Sequence, residues 1–229
     1  MTTFAPSTRR SVVPAPLHRQ LASAGVVLVW VYGVAVLALL VPIAVRLRWG
    51  IPTEIFMRDV ATLTNVPPYT GLFSSLGILM WTAAATLCLF LAACRSGVGQ
   101  TPRAFWTYAG ILTAALLADD LFLLHEVVFP YHLGVPEPLV YVAYGVLAVG
   151  FLVAFRRVIL RTEFVLLALA LAWFAASLTV DRWGHLWLPR GFFLVEDGFK
   201  LLGIASWLLY FARTAFAELR FEVAAHWRR

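Results

Sequence analysis

LASAGVVLVWVYGVAVLALLVPIAV, residues 21–45, contains no charged side chain and indicates an integral membrane protein. A helix that crosses a hydrocarbon core of about 30 Å needs about 20 apolar residues, and this segment is longer. The apolar core of a secretory signal peptide has only about 7 to 15 residues. We therefore expect residues 21–45 to remain in the mature protein as a membrane-spanning helix.

The rest of the chain has the same apolar character. Of its 229 residues, 62% are hydrophobic and 13% are charged, whereas soluble domains average about 25% charged residues. The sequence therefore predicts an all-α, polytopic transmembrane helix bundle of about six spans. The five further segments that are long and apolar enough to span are residues 70–94, 104–128, 138–155, 163–181 and 191–212.

Three parts of the chain differ in composition. Residues 1–20 contain prolines and basic residues without apolar periodicity, which is typical of a short cytoplasmic tail. Residues 21–213 form the predicted six-helix transmembrane domain. Residues 214–229 are predicted to form an amphipathic helix along the inner membrane surface, at a solvated or lipid-facing end that contains no site. The longest connection, residues 46–69, fits equally a short helix on the membrane surface and an irregular loop.

The distribution of basic residues predicts the orientation of the chain. Lys and Arg concentrate in short cytoplasmic loops. Both termini are therefore predicted in the cytoplasm, in a multi-pass protein of a bacterial-type cell inner membrane. The net charge of +6 is explained by contact with the lipid bilayer and its anionic inner leaflet, so nucleic acid is not an expected partner. With the N-terminus inside, twelve arginines lie on the inner side (Arg9, Arg10, Arg19, Arg95, Arg103, Arg156, Arg157, Arg161, Arg213, Arg220, Arg228, Arg229), five lie outside (Arg46, Arg48, Arg58, Arg182, Arg190), and Lys200 completes the 18 basic residues.

Ionisable residues gather toward the outer ends of three predicted spans. Such side chains are costly in hydrocarbon, so they usually face a bundle interior, a cavity or one another, and they mark candidate functional sites. Their depth along the helices predicts an ion pair between the third and sixth spans. The candidate residues are Asp119, Asp120, His125 and Glu126 in the third span, Asp181 and His185 at the end of the fifth, and Glu196, Asp197 and Lys200 in the sixth.

Helical spacing predicts which of these side chains meet. Lys200 lies at a depth similar to that of Asp119 and Asp120, so either aspartate can pair with it. Glu196 lies one turn before Lys200 and can pair with it along the same helix face. The spacing of Asp119 and Glu126 places both on one face of a continuous third helix. Asp181 and His185 likewise share a face if the fifth helix continues through the intervening glycine.

Six carboxylates this close together cannot all stay ionised in a low dielectric without a cation or protons. The first hypothesis is a metal-dependent membrane enzyme acting on a lipid or other apolar substrate, with zinc, manganese or iron activating water. Asp119, Asp120, Glu126 and Lys200 are then the catalytic candidates. The candidate metal ligands are His125, Asp181, His185, Glu196 and Asp197.

Two other functions fit the same residues. Protonated carboxylates along a pathway are typical of a proton- or cation-coupled transporter or channel, whose substrate is an ion. Ion pairs between helices also occur where they only fix packing, as in a homo-oligomer or a structural subunit of a membrane complex. The sequence leaves these alternatives open.

Overall fold

The computed structural model describes residues 17–94, 101–187 and 192–227, and these residues form helices without any β-strand. The predicted all-α class is confirmed for them, while residues 1–16 of the predicted tail lie outside the described residues. The elements are α1 (Leu17–Trp49), α2 (Glu54–Met57), α3 (Val60–Thr64), α4 (Leu72–Cys94), α5 (Arg103–Phe122), a π-helical segment (Leu124–His132), α6 (Glu137–Ala154), α7 (Arg156–Ile159), α8 (Phe164–Trp187) and α9 (Phe192–Trp227).

Among the described residues, four helices are long and apolar enough to cross a membrane. The spanning segments are Leu28–Trp49 of α1, Leu72–Cys94, Glu137–Ala154 and Phe164–Gly184. The length and apolar composition of these helices are therefore those of a membrane protein. α5 and α9, which correspond to the other two predicted spans, carry most of the ionisable candidate residues. The count of six spans and the cytoplasmic termini stay predictions.

The described residues up to Thr70 form one compact unit. α1 starts at Leu17, which is earlier than the predicted span, and its described side chains beyond residue 27 are mostly exposed. The predicted connection after α1 contains two short helices, α2 and α3. α3 ends at Asn65, whose left-handed backbone (φ 55°) is a conformation that asparagine adopts readily at a helix end.

Gly71 to Arg229 form the second compact unit, which holds all the candidate site residues. α8 packs along α9, α4 packs against both α5 and α9, and α6 contacts α5 and the π-helical segment. Glycine allows one of these close approaches. A Cβ atom at Gly203 of α9 would lie 2.5 Å from Cε1 of Phe174 in α8, so only glycine fits there without a shift.

A buried aromatic cluster fills the half of this unit near Arg103 and Arg213. It includes Trp106, Trp207 and Phe211, whose side chains are at most 2% exposed. Buried indole N–H groups need acceptors, and both find a threonine. Trp106 Nε1 donates to Thr101 Oγ1 (2.7 Å), and Trp207 Nε1 donates to Thr113 Oγ1 (3.0 Å). The cluster therefore closes this end of the unit with packed rings.

Candidate functional site

The predicted third span is interrupted inside the candidate site. α5 ends at Phe122, Leu123 adopts a left-handed conformation (φ 51°, ψ 45°), and the π-helical segment follows. The prediction of one continuous helix over residues 104–128, with Asp119 and Glu126 on a shared face, is therefore wrong. A left-handed leucine costs roughly 1 to 2 kcal/mol, so surrounding contacts must hold this break in place.

Asp119 makes those contacts. Its Oδ1 accepts hydrogen bonds from the backbone N–H of His125 (3.0 Å) and from the hydroxyl of Tyr144 in α6 (3.1 Å). Its Oδ2 pairs with Nδ1 of the His125 ring. Asp119 and His125 are 5% and 6% exposed, so water competes little for these bonds. The carboxylate thus ties the start of the π-helical segment to α5 and fixes the imidazole.

The second ring nitrogen of His125, Nε2, remains available as a base or ligand. A hydrogen bond to Nδ1 selects the tautomer and orientation of an imidazole and leaves Nε2 to act as a base or ligand. Nε2 lies 3.5 Å from Oε1 of Glu126, which is too long for a strong hydrogen bond. The Tyr141 ring packs beside the imidazole, with centroids 5.1 Å apart.

Asp120 and Lys200 form the predicted ion pair between α5 and α9. Lys200 Nζ lies 2.7 Å from Asp120 Oδ1, so the structure selects Asp120 over Asp119. The other carboxylate oxygen of Asp120 accepts a hydrogen bond from Trp81 Nε1 of α4 at 2.9 Å. Glu196 does not form the ion pair with Lys200 that helical spacing allowed. One carboxylate therefore links three helices.

Both pairs line a cavity of about 600 Å³ between α5, α6, α8 and α9. Its volume lies within the range of roughly 300 to 1,000 Å³ found for small-molecule sites. Eight of the nine candidate residues line it, whereas the side chain of His185 lies outside the described residues, although α8 continues past that position. The apolar part of the wall includes Leu112, Leu116, Leu171, Phe174, Leu178 and Trp207.

A smaller cavity of about 240 Å³ adjoins the first. Its wall includes Ser74 and Gly77 of α4, and it shares Asp120, Glu126, Asp197 and Lys200 with the larger cavity. The Asp120–Lys200 ion pair therefore borders two cavities.

The described side chains give no support to the predicted metal centre. Within the parts of the chain that the structure describes, no group of three or more His, Cys, Asp or Glu residues is placed to hold a metal ion. Asp181 is exposed and Asp197 is exposed, while Glu196 is half-buried beside the cavity. The carboxylates share one cavity without converging on one point.

Sequence reasoning missed several residues of this site. Trp81 is not among the candidate residues, yet its indole N–H donates a hydrogen bond to Asp120. Tyr141, Tyr144 and Glu137 are not among the candidates either. Glu137 accepts a hydrogen bond from Tyr141 (3.0 Å), and all three line the cavity. One sequence feature could have indicated them: Tyr141 and Tyr144 lie about one turn apart inside an apolar span.

Comparison with known proteins adds a family. Residues 21–214 match the family described as Domain of unknown function (DUF8692). The chain belongs to this family. No curated protein and no solved structure matches the sequence. All nine candidate residues fall inside the segment that DUF8692 covers.

Proposed function

We propose that the protein is a membrane-embedded enzyme in which His125 acts as the general base on a lipid or other apolar substrate. The buried Asp119–His125 pair at the wall of a ligand-sized cavity carries this proposal. A histidine held by a carboxylate is a common arrangement for proton transfer, which typically contributes 10²- to 10⁴-fold to a reaction rate.

The chemistry that fits these groups is hydrolysis. His125 Nε2 takes a proton from a water molecule, and the water oxygen attacks an ester or amide carbonyl of the substrate. The negative charge of Asp119 stabilises the imidazolium that forms. The bond between the carbonyl carbon and the leaving alcohol or amine then breaks, and the imidazolium gives its proton to that leaving group, which restores the neutral histidine. This sequence uses side chains of the described cavity and requires no metal ion.

Lys200 is the group that stabilises developing negative charge. Its ammonium has three N–H donors, and the bond to Asp120 uses one. The remaining donors can bind an oxyanion, and such preorganised donors are often the largest contribution to catalysis. Asp120 and Trp81 position the ammonium, and Glu126 borders the base.

The walls of the cavity favour an apolar substrate. The leucines, Phe174 and Trp207 form an apolar part of its wall, beside the ionisable groups. A transporter would use the same carboxylates, including Glu196 and Asp197, as proton or cation sites. That alternative also needs a path past the buried cluster around Trp207 and Phe211, which the packed rings close.

Lipid turnover provides the direct test. Wild-type protein in nanodiscs made from a total polar lipid extract would be incubated, and the lipids followed by mass spectrometry. We expect wild type to consume a lipid and His125→Asn to lose activity about 100-fold or more. Asparagine keeps an N–H for Asp119 but has no counterpart of Nε2. His132→Asn is the matched control, because His132 is exposed in the same segment and does not line the cavity.

Three results would contradict the proposal. Equal turnover by His125→Asn and wild type would remove the base from the mechanism. Absence of turnover, together with a pH-dependent ion flux in liposomes that Glu196→Gln abolishes, would establish the transporter. A protein that shows neither activity but copurifies with a stable partner would be a structural subunit.

The proposal includes six crossings of a cell inner membrane with both termini in the cytoplasm, which the arginine distribution supports. Cys94, at the end of α4, provides a test without any mutation, because it is exposed and the other cysteine, Cys88, is buried. A membrane-impermeant maleimide should label Cys94 in inside-out vesicles and not in intact cells. Labelling of intact cells would reverse the orientation.

A further inference from the structure

A second ligand-sized cavity, of about 830 Å³, lies where α7 and the turn after it meet α9. It is separate from the candidate active site. Along α9, Trp207 lines the first cavity and Thr214 lines the second, while the fully buried Tyr210 and Phe211 lie between them. The proposed hydrolysis makes no use of this second cavity.

Three arginines line this cavity, and two of them have unbalanced charges. Arg213 is held by Glu163 through two hydrogen bonds, one of them from Nη2 to Oε1 at 2.6 Å. The hydrogen bonds from Arg213 lower the pKa of Glu163, so its carboxylate is ionised at neutral pH and balances that arginine. Arg157 and Arg161 form no ion pair with any side chain that the structure describes. Glu218, in the buried wall, already has an interaction of its own.

The backbone that carries the two unbalanced arginines is fixed to α9. Thr162, next to Arg161, makes a 2.9 Å hydrogen bond between its Oγ1 and the hydroxyl of Tyr210. The Glu163–Arg213 pair adds a second link one residue further on. Two links between the turn and the long helix limit how far Arg161 can move from the cavity.

We propose that this cavity binds a phosphate ester through the guanidinium groups of Arg157 and Arg161. The planar fork of a guanidinium matches phosphate oxygens in a bidentate geometry. Val158 and Phe221 supply an apolar part of the wall beside the arginines. This chemistry fits the headgroup and first carbons of an anionic phospholipid, and basic pockets between membrane helices bind such headgroups. Ala217, Glu218 and Phe221 of the wall lie within residues 214–229, where the sequence predicts no site, so the proposal departs from that prediction.

Lipid binding by the full-length protein tests the proposal and does not depend on enzymatic activity. The probes are dioleoyl phosphatidylglycerol, dioleoyl phosphatidylcholine and inorganic phosphate, each added to detergent-purified protein. Bound lipid is counted by native mass spectrometry, and stabilisation is read from the melting temperature. We expect phosphatidylglycerol to bind and stabilise wild type, and an Arg157→Gln, Arg161→Gln double variant to bind it at least tenfold more weakly.

Arg156→Gln is the matched control. Arg156 is exposed and adjacent to Arg157 on the same short helix, but it does not line the cavity. It should bind phosphatidylglycerol as wild type does. The double variant should melt like wild type without lipid, because both arginines are exposed and neither is paired with a described carboxylate.

The three probes separate the sources of the phosphate. Stabilisation by phosphatidylglycerol alone assigns a lipid headgroup, and displacement of that lipid by inorganic phosphate assigns a soluble phosphate compound. Either result supports phosphate recognition. Equal losses in Arg156→Gln and in the double variant would reduce the effect to general attraction of a basic surface. Equal binding of phosphatidylglycerol by wild type and by the double variant would assign binding to the acyl chains, and either of these results would overturn the proposal.

Discussion

Lys200 Nζ lies 2.7 Å from Asp120 Oδ1, and this contact joins α9 to α5 at the boundary between two cavities. The side chain of Asp120 is 11% exposed and that of Lys200 is 35% exposed, so the carboxylate is the more deeply buried partner. Trp81 Nε1 donates to the second carboxylate oxygen. The negative charge of Asp120 is thus stabilised by one cation, Lys200, and by one neutral donor, Trp81.

Replacing Lys200 alone should therefore lower the free energy of unfolding more than replacing both Lys200 and Asp120. We expect Lys200→Met to cost about 3 kcal/mol, because it leaves a buried carboxylate without its cation. The double variant Asp120→Asn, Lys200→Met should recover most of this loss, since asparagine is uncharged and can still accept from Trp81. Unfolding in mixed micelles with increasing SDS measures both. Glu196→Gln, one turn away on α9, is the control and should change little. Costs that simply add in the double variant would show that the two side chains do not interact.

Depth along the helices was enough to predict this ion pair from the sequence, but it was not enough to choose the aspartate. Adjacent residues on a helix face about 100° apart, so only the rotation of α5 about its axis decides between Asp119 and Asp120. That rotation is set by packing against α4, through contacts such as Trp81 with Asp120. The all-α class and the apolar spans follow from composition and segment length, which need no such contacts.

The break after α5 could not be predicted in the same way. Residues 121–126 read Leu-Phe-Leu-Leu-His-Glu, with neither glycine nor proline to indicate a helix end. Leu123 is held in the left-handed region by tertiary contacts of Asp119 with His125 and Tyr144. Local sequence patterns do not encode such contacts. The Asp119–His125 pair, on which the proposed function rests, therefore could not be predicted from the spacing of residues on a continuous helix.

Asp119 should control the tautomer of His125. In wild type, ¹⁵N chemical shifts of the imidazole should show the proton on Nδ1, because Asp119 accepts there. In Asp119→Asn the amide can present its N–H to the ring instead, which favours the opposite tautomer and should lower lipid turnover about 100-fold or more. Tyr144→Phe removes only one donor to Asp119 and should retain the wild-type tautomer. Tyr141→Phe, whose hydroxyl binds Glu137, is the control. An unchanged tautomer in Asp119→Asn would assign that aspartate a purely structural role.

Filling the apolar part of the candidate-site cavity of about 600 Å³ should prevent a ligand from binding there. Ala148 of α6 lines the cavity, so Ala148→Phe would place a ring in the space that a lipid chain would occupy. We expect this variant to copurify with fewer lipid molecules than wild type, as counted by native mass spectrometry, while the cavity lined by Arg157 and Arg161 stays unchanged. Ala143→Phe is the matched control, because Ala143 is exposed on the same helix and does not line the cavity. If both variants retain the lipid, the cavity is not its binding site.

The crossing of α8 and α9 should tolerate no side chain at Gly203. A Cβ atom there would lie 2.5 Å and 2.6 Å from two ring carbons of Phe174, and that ring stacks on Trp81 with centroids 5.7 Å apart. The ring therefore cannot move without separating from Trp81, and overpacking of this kind typically costs about 1 to 3 kcal/mol. Gly198→Ala, at an open position on the same helix, should instead be neutral or stabilising by up to about 1 kcal/mol. Phe174→Leu should suppress part of the Gly203→Ala defect in the double variant, because it removes the obstructing ring. Melting temperatures in detergent would measure all of these, and equal stabilities for Gly203→Ala and Gly198→Ala would show that the two helices are less closely packed than this crossing requires.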